Sequence, residues 1–186
     1  MSIKKDFVIP IFVLALLCLL ISGALAVGNR ITHPVIEQAA SQRMETARRE
    51  IIPNADGFEL LDMEFFHRDS SVPKTVTAIY KTTNDSGYIF MTTTIGYGGE
   101  IKLVCGVDPD GKIIKTAVLS QSETQGFGTP VFDEPHAGQY WGKDRNNIED
   151  IAAISGATIS SKAFKKGIRD SLEAFDIVIA RQAGIH

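Results

Sequence analysis

The chain has 186 residues, enough for one domain of ordinary size with a short appendage, and its 44% hydrophobic and 22% charged residues are those of a globular protein. The formal net charge is −3 and turns more acidic once Lys4, Lys5 and Asp6 are set aside, so composition offers no basic patch for neutralising phosphates. Nucleic acid is therefore excluded as an expected partner.

Phe7 to Val27 carries no charge and consists largely of Leu, Ile, Val, Ala and Phe. As a helix, these 21 residues span about 30 Å, the thickness of a bilayer's hydrocarbon core. Pro10 then falls in the first turn, where its missing N–H is tolerated. Lys4 and Lys5 precede the run, so the positive-inside tendency puts the N-terminus in the cytoplasm. The main domain is then expected on the extracytoplasmic, periplasmic side of the cell membrane. Ala24-Leu25-Ala26 also fits the cleavage pattern of an export signal. The length of the run and its direct lead into a helix-like segment favour a retained, single-pass transmembrane helix. The expected layout is a cytoplasmic start and anchor over 1–28, a connecting helix over 29–53 and an extracytoplasmic domain over 54–186.

Thr32-His33-Pro34 reads as a helix start, and Val35 to Ile52 is rich in good helix formers. Pro53 to Gly57 ends that helix with turn residues. Val76–Thr82, Tyr88–Thr94, Ile101–Val107 and Ile113–Leu119 read as strands, and Asp110-Gly111 marks a hairpin between the last two. Gln121 to Asn147 is polar and rich in Gly and Pro, which predicts a long loop. Within it, Asp133-Glu134-Pro135-His136 reads as solvated loop rather than a metal site. No CxxC or Cys/His cluster points to a metal elsewhere, and Cys18 and Cys105 are too differently placed to pair. Ile159 to Ala180 is an amphipathic helix with Ala163, Phe164, Ile168, Leu172 and Phe175 on one stripe. The class is α+β, an antiparallel or mixed sheet flanked by helices and preceded by the membrane anchor. Without βαβ alternation, a nicotinamide site of the dinucleotide-binding kind is not expected.

The densest chemistry lies at Ile154-Ser155-Gly156-Ala157-Thr158-Ile159-Ser160-Ser161, where a loop becomes the last helix. Free N–H groups and the positive end of a helix dipole favour a phosphate at such a junction, and Gly156 and Ala157 let a ligand approach the backbone. The hydroxyls of Ser155, Thr158 and Ser160 serve equally well, on local chemistry alone, as plain helix caps.

Ser155-Gly156-Ala157-Thr158 resembles the S/T-G-A-T flavinylation motif of the FMN-binding domain family. That family includes the C subunit of sodium-pumping NADH:quinone oxidoreductase and the G subunit of Rnf electron-transport complexes. The likeness extends over nearly the whole chain. Gly96-Tyr97-Gly98-Gly99-Glu100-Ile101 resembles the family's glycine-rich segment, Asp108 to Ile113 its hairpin, and Ser122-Glu123-Thr124-Gln125-Gly126-Phe127-Gly128 its E-T-P-G-L-G loop. The apolar anchor followed by Ile31 to Ile36 resembles the start of the Rnf G subunit. The chain departs from the family's pattern at Gln121, Gln125, Phe127 and Ala152.

The resemblance implies FMN bound covalently through a phosphoester to Thr158, a modification site rather than a catalytic nucleophile, installed by a magnesium-dependent flavin transferase with FAD as donor. It implies an electron carrier within an ion-translocating complex that couples ferredoxin and NAD oxidoreduction to Na+ or H+ transport. The other membrane subunits of that complex are then the partners. Ser155, Gly156, Ala157, Glu123, Thr124, Gly126, Phe127 and Tyr97 are the candidate cofactor-binding residues. The loop residues also have plainer readings: Glu123 and Thr124 as turn stabilisers, Gly126 as a supplier of unusual backbone angles, Phe127 as core and Tyr97 as an ordinary strand-end aromatic. A flavin-binding regulatory membrane module and an exported flavin reductase are the rival functions, and a colourless interaction subunit the plainest one.

Overall fold

The computed structural model describes residues 3–63 and 72–184. The chain divides into two compact units, Met1–Arg43 and Met44–His186. The first helix, α1 (Ile3–Ile51), runs through both.

In the first unit, Ile9–His33 has a mean hydropathy of 2.7 and is long and apolar enough to cross a membrane, with none of it buried. Apolar residues stand on every side of this segment, the pattern that suits a helix surrounded by hydrocarbon. The helix start expected at Thr32-His33-Pro34 is absent, because α1 continues through it. Thr32 Oγ1 turns back to the carbonyl oxygens of Gly28 at 3.0 Å and Asn29 at 3.4 Å instead of capping a new helix. Pro10 likewise lies inside α1 rather than in its first turn. Summed propensity over a long run of Leu, Ile and Ala outweighs the hydrogen bond each proline removes.

The second unit is built on an antiparallel sheet of five strands in the order β1-β2-β3-β4-β5. They are β1 (Phe58–Leu60), β2 (Val76–Thr82), β3 (Tyr88–Ile95), β4 (Glu100–Val107) and β5 (Ile113–Ser120). The expected strands are present, lengthened by a residue at three ends. The short β1, with two of its three residues exposed, has no alternation by which a sequence would reveal it. Among the described residues no pairing is parallel, which resolves the expected antiparallel-or-mixed choice. At the β4–β5 hairpin the Asp108 carboxylate accepts from the N–H groups of Asp110 and Lys112, while Gly111 takes φ +81°.

Alternation sorts the side chains onto the sheet's two faces. Ile79, Phe90, Leu103 and Cys105 meet Phe164, Ile168, Leu172 and Phe175 of the last helix, α3 (Thr158–Gln182). On the opposite face Ile89 and Val104 meet Ile51 and Ile52 at the end of α1. Arg48 lies over the Tyr80 ring, 4.2 Å from its centroid. Gly106 leaves room for this packing: an added Cβ there would stand 2.1 Å from Ile51 Cγ2.

The segment expected as a long loop is instead folded into short turns: a 3-10 turn at Thr129–Phe132, the one-turn helix α2 (Glu134–Ala137) and a 3-10 turn at Gly138–Tyr140. Val131, His136, Ala137, Tyr140 and Ile148 are buried, so this stretch closes the end of the core beside α3. The apolar residues responsible lie singly among polar ones and show no period. His136 is therefore core rather than solvated loop; its ring meets Tyr140 edge-on at 5.8 Å. Its Nε2 has no hydrogen-bond partner among the described residues, and burial, followed by the charge of Lys165, lowers its pKa below the ordinary 6.5. Among the described residues no group of three or more His, Cys, Asp or Glu is arranged to hold a metal ion.

Two outcomes follow from this packing. Gly106→Ala should lower stability by about 1–3 kcal/mol through the clash with Ile51, and Ile51→Ala should make the second change cheaper than it is alone; chemical denaturation of the four-member cycle measures both. Because the folded state holds His136 neutral while the unfolded imidazole takes up a proton, its contribution to stability is present above pH 6.5 and is lost as pH falls below it. His136→Phe should flatten that part of the stability–pH curve, and an unchanged slope would contradict the assignment.

Candidate functional site

The site forms where three backbone segments meet: the β3–β4 hairpin at Gly96–Gly99, the turn Glu123–Gly128, and the entry to α3. Glu123 joins them. It is buried, its Oε1 accepts from the Gly98 N–H at 2.9 Å, and its Oε2 accepts from the Ser160 hydroxyl at 2.5 Å. Its own N–H donates to Gln121 Oε1 at 2.5 Å. Glycines let the backbone close around the carboxylate. A Cβ at Gly98 would stand 2.1 Å from the Ser122 carbonyl oxygen, and one at Gly128 would stand 2.6 Å from Glu123 Oε2. Glycine here answers to close approach rather than loop mobility.

The turn that follows is held by its backbone. The Thr124 carbonyl accepts from the N–H groups of Phe127 and Gly128 at 3.1 and 2.9 Å, and the Gly126 N–H donates to Thr129 Oγ1 at 3.0 Å. Phe127 is thereby pushed outward and is 71% exposed, so the core reading of this residue fails. Tyr97, at the tip of the hairpin, is 74% exposed.

The start of α3 leaves unsatisfied donors facing the same space. Ala157 occupies the cap position and supplies no side-chain cap; Gly156 before it takes φ +83°, with open space where a Cβ would sit. The first helical bond runs from Ser161 N–H to the Ala157 carbonyl, so the N–H groups of Thr158, Ile159 and Ser160 have no partner among the described residues. The nearby hydroxyls are not used as caps. Ser160 is committed to Glu123, and Ser161 Oγ accepts from the Ile154 N–H at 3.1 Å. Thr158 is exposed, and its hydroxyl has no hydrogen-bond partner among the described residues.

These parts enclose a pocket of about 450 Å³ lined by Tyr97, Glu123, Thr124, Phe127 and the run Gly156 to Ser160, with Gly128 at its back. Of the residues singled out from sequence, Tyr97, Glu123, Thr124, Phe127, Gly156, Ala157 and Thr158 line it, whereas Ser155 and Gly126 do not. Gly128, Ile159 and Ser160 line it without having been in that set. Ser160 was legible only as one hydroxyl among several, and Ile159, 54% exposed, only as the apolar residue after Thr158. One end of the pocket is therefore a cluster of backbone donors at a helix N-terminus, and its rim is apolar: Tyr97, Phe127 and Ile159. That arrangement accepts an anionic group joined to a flat apolar body.

Known proteins resemble this chain in sequence and in fold. A family model for the FMN-binding domain matches residues 96–173, which take in the hairpin, the turn and most of α3. The C subunit of a Na(+)-translocating NADH-quinone reductase from Parabacteroides distasonis superposes with a TM-score of 0.47 at 18% identity, over 66% of this chain and 76% of that one. The G subunit of the proton-translocating ferredoxin:NAD(+) oxidoreductase complex of Clostridium ljungdahlii is 30% identical over 169 residues, covering 86% of both chains. The G subunit of the Na(+)-translocating ferredoxin:NAD(+) oxidoreductase complex of Acetobacterium woodii is 28% identical over 189 residues, covering 89% of this chain and 91% of that one. With this identity sustained over the length of both chains, the protein belongs to the family of G subunits of ion-translocating ferredoxin:NAD(+) oxidoreductase complexes, and it carries their FMN-binding domain.

Proposed function

We propose that this chain carries FMN, joined through its phosphate to Thr158, and relays electrons inside a membrane-bound complex that couples ferredoxin and NAD oxidoreduction to Na+ or H+ transport. The observation that carries this reading is the conjunction at the start of α3: three N–H groups and a Thr158 hydroxyl without partners among the described residues, in a pocket with an apolar rim. The residues present fit the group. The N–H groups of Thr158, Ile159 and Ser160 would hold phosphate oxygens with the helix dipole behind them. Tyr97, Phe127 and Ile159 would flank the ring system. FMN supplies the exchange of one or two electrons; the protein holds it, orients it and sets its potential.

The geometry also favours one hydroxyl over its neighbours. Ser160 is buried and hydrogen-bonded to Glu123, Ser161 is buried against Ile154, and Ser155 lies outside the pocket lining. Thr158 alone among these four combines exposure with a place in the lining. Thr158 would supply the hydroxyl oxygen that joins the flavin-side phosphorus of FAD, with AMP leaving on the broken pyrophosphate bond and the hydroxyl proton given up. No electrons change hands, and a separate magnesium-dependent flavin transferase supplies the catalysis.

The further layout belongs to the same proposal. Residues 1–28 are the cytoplasmic start and retained anchor, 29–53 the connecting helix, and 54–186 the extracytoplasmic domain, with the orientation resting on Lys4 and Lys5 before the span. One span provides no ion path, so transport falls to the other members of the complex.

Co-expressed with an active flavin transferase, the full-length protein should be yellow after denaturation and heavier by FMN less one water. Thr158→Ala should lose both properties, while Ser155→Ala and Ser160→Ala should keep them. A colourless wild type of unmodified mass would refute the assignment. Glu123 bears a buried negative charge on the same pocket, which opposes electron gain by the flavin. Glu123→Gln, which preserves the shape and an acceptor for Gly98, should shift the bound flavin's midpoint potential to more positive values. Glu123→Ala, which leaves the Gly98 N–H and the Ser160 hydroxyl unpaired, should instead cost about 1–3 kcal/mol of stability by denaturant titration.

A further inference from the structure

Although composition offers no basic patch, the fold assembles one. Lys162, Lys165, Lys166 and Arg169 lie on α3 with no acidic residue between them. Their spacing of three and four residues puts them on one face as neighbours, and like charges so placed weaken a helix. They surround a second concavity of about 420 Å³, which shares no lining residue with the pocket at Thr158.

The internal anions answer these cations only in part. The Glu149 carboxylate is shared between Arg169 at 3.5 Å and Lys165 at 3.8 Å, both longer than a close charge-assisted hydrogen bond. The Lys165 ammonium is satisfied mainly by the Glu149 carbonyl oxygen at 2.9 Å. Lys166 pairs with Asp170, whose same Oδ2 also accepts from the Thr75 hydroxyl at 2.6 Å. Lys162 is exposed and makes no ion pair or hydrogen bond with a described residue. Four cations thus face two carboxylates.

The floor carries the second observation. Tyr140 is 1% exposed yet lines this concavity, and its hydroxyl makes no hydrogen bond with a described residue. Burial, followed by the charge of Glu149, pushes its pKa up to about 12, so the hydroxyl keeps its proton and remains a donor. A plain solvated basic helix face would not end on a tyrosine buried to this degree whose hydroxyl has no partner among the described residues.

We propose that this concavity binds a phosphate group, with Lys162, Lys165, Lys166 and Arg169 supplying charge and the Tyr140 hydroxyl a hydrogen bond from the floor. Phosphate oxygens offer Arg169 and Lys165 shorter contacts than the ones they make with Glu149 and give Lys162 the partner it lacks. The phosphate comes either from a small soluble compound or from the headgroup of an anionic phospholipid, and both present the same chemistry to these residues. The proposal does not depend on the flavin assignment.

The test uses the full-length protein in neutral detergent micelles, with unfolding temperature as the readout. One arm adds inorganic phosphate or pyrophosphate against chloride of equal ionic strength; the other dopes the micelles with phosphatidylglycerol. Wild type and Thr158→Ala should be stabilised saturably and alike, and Lys162→Glu combined with Arg169→Gln should weaken the apparent affinity by roughly tenfold or more. A response in the first arm identifies a soluble phosphate, and one confined to the second a headgroup. No saturable response in either arm, or an equal response in the double variant, overturns the proposal. Tyr140→Phe separates the site from simple charge attraction: it keeps every cation and should still reduce the affinity.

Discussion

A carboxylate removed from water must be met by donors on every side, and at Glu123 that requirement organises the site. Its oxygens are met by a backbone N–H from the β3–β4 hairpin and a hydroxyl from the first turn of α3, segments far apart in the chain. Deleting either donor leaves a buried negative charge undercompensated, so hairpin, turn and helix hold one another in place. The glycines at 96, 98 and 128 follow from the same demand, because a side chain at any of them would collide with Glu123 or its neighbouring backbone.

The clasp also decides which groups are left over. The cap position of α3 falls to Ala157, which has no side-chain acceptor, while the Ser160 hydroxyl is taken up by Glu123 and the Ser161 hydroxyl by the Ile154 N–H. The helix thus begins with its N–H groups open to the pocket although hydroxylated residues surround it. An N-terminus left uncapped in this way is less stable than a capped one by about 1 kcal/mol. The cost is offset by the extensive burial of the remainder of α3 against the sheet.

Long, periodic features were legible in the sequence. The apolar run of α1, four of the five strands and the stripe of α3 follow from spacing and composition alone, because burial on one face leaves its period in the chain. The segment 121–148 was not, since Val131, Tyr140 and Ile148 reach the core singly from turns that have no period. The continuity of α1 through Pro34 was also missed, because local signals for a helix start were outweighed by the helix already running. At the site, Thr158 and the glycine loop were legible as motifs. The division of labour among Ser155, Thr158, Ser160 and Ser161 was not, since it depends on which hydroxyl lies near Glu123 across 37 residues of chain. The cationic cluster on α3 escaped for a related reason: net charge counts residues without placing them.

Thr158 is the first residue of a helix that stays regular for 25 residues and is buried through its middle. Anything joined to that residue is mounted on the end of a stiff rod clamped along its length. Were such a group to gain or lose an electron, the peptide dipoles facing it would already be oriented, with little freedom to turn. The energy spent rearranging the surroundings at each transfer would then be small, which would favour fast exchange over modest differences in potential. A pendant on a mobile loop would lack that advantage, whatever its chemical linkage.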